Sequence, residues 1–164
     1  MISIQNNTDE NFTSIRAIAK EVWPIAYGAI LSQEQLDYMM EMMYSVSSLR
    51  EQEASKKHFI LATENGIDIG FACYEFNCNG TSTTKIHKIY IFSNQQRKGI
   101  GRILIDYITN EATQNKQEAL FLNVNKNNIA KYFYKKLGFE ISYEEIIDIG
   151  NGYVMDDYVM KISI

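Results

Sequence analysis

The chain has 164 residues, 46% of them hydrophobic and 22% charged, which predicts one globular domain over residues 1–164 with enough chain for a sizeable core. A net charge of -4 and a pI near 5.2 argue against general nucleic-acid binding, because phosphate contacts require a basic face. No stretch approaches the roughly 20 apolar residues of a membrane helix, and the N-terminus has no basic start, so we expect a cytoplasmic protein without membrane contact.

The first fifty residues predict helices. Thr8 or Asp9 can cap a first helix, which Pro24 is expected to end. Ser32 with Gln35 forms a capping box for a second helix. We interpret its helically spaced apolar residues as a core stripe: Leu36, Met39, Met40 and Met43. Residues 46–54 predict a further short helix.

A β-hairpin follows, with strands over 58–63 and 67–76 joined at Asn65-Gly66. Cys73 and Cys78 lie in or just after its second strand. No second cysteine pair completes a zinc site, so we expect no metal and interpret both cysteines as reduced and structural. The alternative is a nucleophilic Cys73 with His87 as its base.

Residues 85–105 predict a strand, a polar turn and a glycine-opened helix in immediate succession. Glycines let the backbone approach a ligand, and the first free N–H groups of a helix favour an anion such as pyrophosphate. Neither the Gly-x-x-x-x-Gly-Lys-Ser/Thr motif nor a dinucleotide fingerprint fits, because Leu104 stands where the latter needs its third glycine. The alternative interpretation is a helix N-terminus with solvated charges.

The turn Gln96-Arg97-Lys98-Gly99-Ile100-Gly101 resembles the pyrophosphate loop of the GNAT superfamily of acyl-CoA N-acyltransferases, Gln/Arg-x-x-Gly-x-Gly/Ala. Downstream, residues 127–139 resemble the superfamily's other signature, Asn-x-x-Ala-x-x-x-Tyr-x-x-x-Gly-Phe. Helical spacing places Ile129, Phe133 and Leu137 on the core face, and Asn127, Ala130 and Tyr134 on a neighbouring face that can serve a ligand. Gly138 is expected to close this helix in a left-handed conformation, with Phe139 packing back.

A strand over 119–124 and two final strands, near 139–148 and 153–162, complete the predicted elements. Their order gives an α+β fold with a mixed sheet. The resemblance implies the GNAT fold: a single domain in which helices flank a mostly antiparallel central sheet.

The resemblance also implies a function: direct transfer of the acetyl group of acetyl-CoA to a primary amine. It implies that the cofactor contacts the strand at Ile89, Tyr90 and Ile91, the loop from Gln96 to Arg102, and the second signature at Asn127, Ala130 and Tyr134. In detail, the loop contacts are Gln96, Arg97, Lys98, Gly99, Ile100, Gly101 and Arg102.

Tyr134 occupies the position that protonates the departing thiolate in many relatives; the alternative is an aromatic packed at the helix edge. The N–H of Ile91 is the candidate oxyanion donor. His87, expected on the strand face of Ile89 and Ile91, is the candidate base, the alternative being a satisfied strand histidine. Several relatives carry a glutamate on this face, either at the position of His87 or at that of Lys85. This chain has no glutamate at either position, so the identity of its base differs from that in those relatives.

The resemblance implies that the first two helices and the last strand pair form the acceptor site, which is expected to include Trp23, Tyr27 and Tyr153. From 137 to 160 there are six acids and no Lys or Arg, which suits a cationic amine. We therefore expect a small amine such as a polyamine. The alternatives are a protein or peptide acceptor, or a non-catalytic acetyl-CoA-binding module. Many relatives are dimers, so a homodimer is compatible with the resemblance.

Overall fold

A computed structural model describes residues 1–164, which form one mixed sheet and five α-helices. The strands are β1 Ile2–Asn6, β2 His58–Glu64, β3 Ile67–Glu75, β4 Thr83–Ile91, β5 Ala119–Asn125, β6 Glu140–Gly150 and β7 Tyr153–Ser163. The helices are α1 Phe12–Tyr27, α2 Gln33–Tyr44, α3 Val46–Ala54, α4 Ile100–Gln114 and α5 Ala130–Lys136. None of the helices combines the length and the apolar character that a bilayer-spanning segment needs.

The seven strands lie in the order β1-β2-β3-β4-β5-β7-β6, and every neighbouring pair is antiparallel except β4 and β5. The sheet separates two cores. On one face α4 and α5 pack through residues such as Leu104 and Tyr134. On the other face α1, α2 and α3 pack through residues such as Phe12, Met39 and Leu49. The predicted α+β fold with a mostly antiparallel sheet is confirmed.

The prediction that Pro24 ends the first helix is wrong. Helix α1 continues through Tyr27, and the Gly28 N–H donates to the Pro24 carbonyl at 2.9 Å. A proline removes only its own N–H from the helix ladder, so the turn after it keeps its bonds. Burial of Trp23 and Tyr27 on the stripe that includes Ile15 and Ile18 holds this last turn against the sheet.

Strand β1 was not predicted from the sequence. It lies at one edge of the sheet and pairs antiparallel with β2, placing Ile2 opposite Glu64 and Ile4 opposite Ala62. Only Ile2 and Ile4 in this segment are apolar, and both pack against the core on the α4 side. Two alternating apolar residues are a weak strand signal, which the neighbouring strand completes.

The second signature forms a shorter helix than its pattern suggests, and its core face is misassigned. Ile129 precedes α5 and is 79% exposed, whereas Tyr134 is 7% exposed and belongs to the core. The buried stripe therefore runs through Ala130, Tyr134 and Leu137, which follow one another at helical spacing. Gly138 closes the helix at φ +102, as expected, with Phe139 buried against Tyr134.

Candidate active site

The main cavity lies where β4 and β5 separate. The parallel pairing runs from Thr83 and Ala119 to Ile86 and Leu122 and then ends, although both strands continue. A cavity of about 780 Å³ occupies the resulting opening. It is bounded by both strands, the C-terminal end of α1, the loop before α4 and the start of α5. A volume of this size is ordinary for a cofactor or small-molecule site.

A β-bulge in β4 lies beside this opening. Across the β3–β4 ladder, Lys88 pairs with Cys73 and Ile86 with Tyr74, so β4 carries one extra residue, His87. The bulge reverses the alternation of the strand: Ile86 and Ile89 both pack into the core on the α4 side. The expectation that His87 shares the face of Ile89 and Ile91 is therefore wrong.

Beyond the bulge, β4 turns part of its backbone toward the cavity. The Phe92 N–H donates to the Ile69 carbonyl at 3.0 Å. The backbone N–H and C=O groups of Phe92 therefore point toward β3, and those of Ile91 point away from it. The side chain of Gln96 donates to the Ile91 carbonyl at 3.4 Å on that far side. The N–H groups of Ile89 and Ile91 thus point toward the opening, while that of Tyr90 points toward β3.

The loop before α4 presents a run of free donors to the same cavity. Gly99 and Arg97 have positive φ angles of 79 and 66, and Gly99 caps the helix. Intramolecular backbone bonds resume with the Ile103 N–H, which donates to the Gly99 carbonyl at 3.1 Å. The N–H groups of residues 97–102 donate to no protein acceptor. Such a row of donors at a helix N-terminus fits a phosphate or pyrophosphate.

The charged residues of the loop are placed unequally. Arg97 and Arg102 line the cavity, and Arg102 lies 3.7 Å from the Asp106 carboxylate one turn along the helix. Lys98 lies outside the lining and donates to the Gln95 side chain at 2.7 Å. The remaining predicted loop residues all line the cavity: Gln96, Gly99, Ile100 and Gly101.

Gly101 lies in a closely packed position, and its backbone angle does not itself favour glycine. A Cβ atom at this position would lie 3.0 Å from Cζ of Phe133 and 3.5 Å from Cδ1 of Ile91. The first turn of α4 is therefore held tightly between the end of β4 and α5. A methyl group here would require the Phe133 ring, which is 36% exposed, to shift slightly.

Tyr134 points into the cavity from α5. Its side chain lines the opening, and its hydroxyl makes no hydrogen bond to another protein group. Burial, with a smaller contribution from nearby Tyr27, raises the pKa of Tyr134 above its ordinary value. The phenol therefore keeps its proton at neutral pH and can donate a hydrogen bond or a proton. The other residues predicted from this signature, Asn127 and Ala130, also line the cavity.

His87 is held by a carboxylate. Its Nε2 lies 2.8 Å from Oε2 of Glu75, and both side chains are largely buried. Burial, together with the ammonium groups of Lys85 and Lys88, lowers the pKa of His87 to about 3, and Glu75 opposes this shift. A neutral imidazole donates Nε2–H to Glu75 and leaves Nδ1 as an acceptor. Such a group can orient a water molecule but holds a proton poorly at neutral pH.

The three aromatic residues expected at the acceptor site lie in different environments. Tyr27 lines the cavity, and its hydroxyl lies 3.3 Å from that of Tyr90. Trp23 is only 2% exposed, outside the lining, and donates from Nε1 to the Tyr44 hydroxyl at 3.2 Å. Tyr153 also lies outside the lining and packs on Tyr38. Of the three, the structure brings only Tyr27 to the cavity.

Both cysteines are free and buried. Burial raises the pKa of Cys73 to about 12, which leaves no thiolate for nucleophilic attack at neutral pH. Cys73 also packs with the helices of the α1 core, on the side of the sheet away from α4. The alternative of a nucleophilic Cys73 is thus opposed by both its burial and its pKa.

Four polar residues of the cavity were not predicted from the sequence: Lys88, Gln95, Asn123 and Asn128. Asn123 lies on β5, and its alternation with the buried Leu122 and Val124 places it on the α1 side of the sheet. Asn128 accepts from the Ala130 N–H at 2.9 Å, which caps the start of α5. Asparagine before a helix is an ordinary cap signal, so Asn128 did not stand out as a site residue, and Asn123 belongs to no recognisable motif.

The sequence is similar to those of known acetyltransferases. Residues 29–160 match the family model described as an acetyltransferase (GNAT) domain. A probable N-acetyltransferase of Drosophila melanogaster, san, is 29% identical over 147 residues, covering 85% of this chain and 68% of that protein.

Solved structures resemble the whole chain in fold. The PaiA N-acetyltransferase of Thermoplasma acidophilum, in complex with coenzyme A, has a TM-score of 0.83 at 20% identity, covering 100% of this chain and 99% of that one. The protein yncA of Salmonella typhimurium, solved with its cofactor acetyl-CoA, has a TM-score of 0.70 at 16% identity, covering 99% of this chain and 94% of that one.

Proposed function

The chain belongs to the GNAT family of acetyl-CoA-dependent N-acetyltransferases, and we propose that its acceptor is a small cationic primary amine such as a polyamine. The observation that carries the proposal is the acidic composition of the β6–β7 hairpin, two of whose carboxylates, Glu145 and Asp157, accept hydrogen bonds from Asn123 of the cavity wall. Residues 137–160 contain six acidic side chains and no lysine or arginine. A negative surface at the mouth of a site concentrates cationic substrates and repels anionic ones.

We propose that the loop from Gln96 to Arg102 holds the pyrophosphate of acetyl-CoA. The free N–H groups of residues 97–102 and the guanidinium groups of Arg97 and Arg102 support this assignment. Lys98 contributes through its backbone N–H, since its side chain is turned to Gln95. On the β4 wall of the cavity, the Ile89 and Ile91 N–H groups would bind the thioester end.

The proposed chemistry places three groups of this chain around the thioester. The Ile91 N–H donates to the oxygen that gains negative charge as the amine attacks. Tyr134, which stays protonated, donates its proton to the departing thiolate sulfur. Tyr27 lines the wall of the cavity near Tyr134.

The acceptor must lose a proton before it attacks. An alkyl ammonium with a pKa near 10.4 is more than three units from pH 7, which costs roughly 4 to 5 kcal/mol. With its pKa at about 3, His87 does not hold that proton at neutral pH. We propose that its free Nδ1 instead orients a water molecule through which the proton leaves the amine.

The experiment is acetyl-CoA-dependent release of free thiol with polyamines, amino acids, aminoglycosides and short peptides as acceptors. CoA binding is followed in parallel by thermal shift. Turnover on polyamines supports the proposal, whereas turnover restricted to peptides identifies a protein acceptor instead. CoA stabilisation without turnover on any acceptor would favour a non-catalytic acetyl-CoA-binding module, and the absence of CoA binding would overturn the assignment of the loop.

A further inference from the structure

Two acidic side chains face each other on the α1 side of the sheet, next to the cavity. Glu145 of β6 and Asp157 of β7 are direct partners in the antiparallel register. Like charges directly opposite each other in a sheet are destabilising. Asn123 of β5 lies between them and donates from Nδ2 to Glu145 at 2.8 Å and to Asp157 at 3.4 Å. One neutral amide thus serves two carboxylates.

The Asp157 carboxylate is also incompletely satisfied. The residue is only 5% exposed, and its Oδ1 is buried without a hydrogen-bond partner. A buried carboxylate oxygen of this kind needs a donor, because it has lost its hydration. Burial, together with the nearby Glu145, raises the pKa of Asp157 above its ordinary value, although the Asn123 hydrogen bond opposes this.

The same hairpin shows what a neutralised acidic pair looks like. On its opposite face, Glu144 and Asp156 share the ammonium of Lys126 at 2.9 Å and 2.8 Å. Glu145 and Asp157 have no such partner: neither forms an ion pair within the chain. Lys85, whose charge lowers the pKa of Asp157, has its ammonium over the Phe121 ring instead of on either carboxylate.

The pair lies directly behind the wall of the cavity in which acetyl transfer is proposed to occur, and neither carboxylate is part of the lining. Asn123, which contacts both carboxylates, itself lines the cavity. Tyr27 lines it from α1, and its phenol has a pKa raised by burial, with a smaller contribution from the charge of Asp157.

We propose that Asp157 and Glu145, bridged by Asn123, form a subsite that binds a second ammonium group of the acceptor amine. The proposal rests on the proposed function and refines it, because it selects acceptors that carry a cation in addition to the reacting amine. An aliphatic diamine or polyamine has this chemistry. Its bound ammonium supplies the donor that Asp157 Oδ1 lacks and relieves the repulsion between the two carboxylates.

The test compares putrescine with the amino alcohol of equal length, in which a hydroxyl replaces one ammonium. Asp157→Asn and Glu145→Gln keep the side-chain shape and remove one charge each, and Glu144→Gln on the opposite face is the matched control. Initial rates with acetyl-CoA give kcat and KM for each acceptor. Calorimetric titration of putrescine into the CoA-saturated protein measures binding without turnover.

For wild type we expect a KM for putrescine at least about tenfold below that for the amino alcohol. Asp157→Asn and Glu145→Gln should each abolish this preference, and Glu144→Gln should preserve it. Putrescine binding in the calorimeter should weaken in parallel. If Asp157→Asn does not fold, as judged by its melting curve, Glu145→Gln carries the test.

Equal KM values for the two acceptors in wild type, or inner variants that bind putrescine as wild type does, would overturn the subsite even if acetyl transfer occurs. An equal loss on both acceptors would assign the pair a structural role and also overturn it. Putrescine binding that depends on both charges, without acetyl transfer to any amine, would support the subsite while contradicting the proposed function.

Discussion

Nε2 of His87 and Oε2 of Glu75 lie 2.8 Å apart across the β3–β4 ladder, beside the bulge that precedes the cavity. The contact fixes the imidazole in one orientation and explains how a histidine is kept in a mostly buried strand position. Two roles for His87 can then be distinguished by experiment. It is either a base that accepts the substrate proton or a neutral group held in place by a carboxylate.

The stability of the protein toward acid tests the state of His87. Its pKa in the folded protein is about 3, below the 6.5 of an unperturbed histidine. Between these values the unfolded chain binds more protons, so the free energy of unfolding falls as the pH decreases through this window. Urea denaturation at pH 7 and pH 4.5 should show a loss smaller by roughly 1 to 3 kcal/mol in His87→Gln than in wild type.

An equal loss in His87→Gln and wild type would contradict the lowered pKa. A wild-type protein that becomes more stable between pH 7 and pH 5.5 would show instead that Glu75 holds His87 protonated. In the same variant we expect kcat/KM to fall less than about tenfold, because a group that only orients water contributes less than a general base.

Removing the Tyr134 hydroxyl should slow chemistry without affecting CoA binding. For Tyr134→Phe we expect kcat to fall by about 100-fold, since the thiolate then leaves without a proton donor, with the Kd for CoA changed less than about twofold. Tyr132→Phe, on the exposed side of the same helix, is the control and should behave as wild type. Full activity in Tyr134→Phe would remove Tyr134 from the mechanism.

Two glycines with nearly the same backbone angle allow the loop to be tested against a matched change. Gly99 and Gly66 have φ values of 79 and 77, and a Cβ at either would contact nothing within 4 Å. Alanine at each should therefore cost about 1 kcal/mol of stability through backbone strain alone. Only Gly99→Ala should weaken CoA binding, by about fivefold or more, because it displaces the N–H groups that face the phosphates.

Calorimetric titration with CoA measures this difference. Equal CoA affinity in the two alanine variants would show that the backbone at Gly99 does not contribute to the phosphate site.

Trp23 should behave as a core residue. For Trp23→Phe we expect a loss of roughly 1 to 3 kcal/mol in unfolding free energy, from the smaller side chain and the lost hydrogen bond to Tyr44. The KM for the amine should change less than about twofold. Tyr27→Phe, altered at the cavity wall, is the comparison, and it should change the KM with less effect on stability. A raised KM in Trp23→Phe at unchanged stability would return Trp23 to the acceptor site.

The sequence was most informative where local chemistry and structure coincide. The glycine-opened α4, the hairpin turn at Asn65-Gly66 and the Gly138 cap all need particular residues for backbone reasons, so their patterns could be recognised directly. The core of α2 was equally clear, because Leu36 and Met39 recur at helical spacing and are buried.

The features that could not be predicted depend on tertiary contacts. Pro24 normally ends a helix, and only the burial of Tyr27 shows why α1 continues. The bulge at His87 arises from the β3–β4 register, which a single strand does not reveal. The opposed pair of Glu145 and Asp157 likewise requires the register of two strands, since sequence alone shows only an acidic segment.

The most direct measurement uses acetyl-CoA labelled in the acetyl group, mixed with the protein and a panel of amines that includes putrescine. Direct transfer predicts label in the N-acetylated amine, at a rate that depends on both substrates, and no label bound covalently to the protein. Label retained on the protein, or none in any amine while acetyl-CoA binds, would contradict direct acetyl transfer in the cavity between β4 and β5.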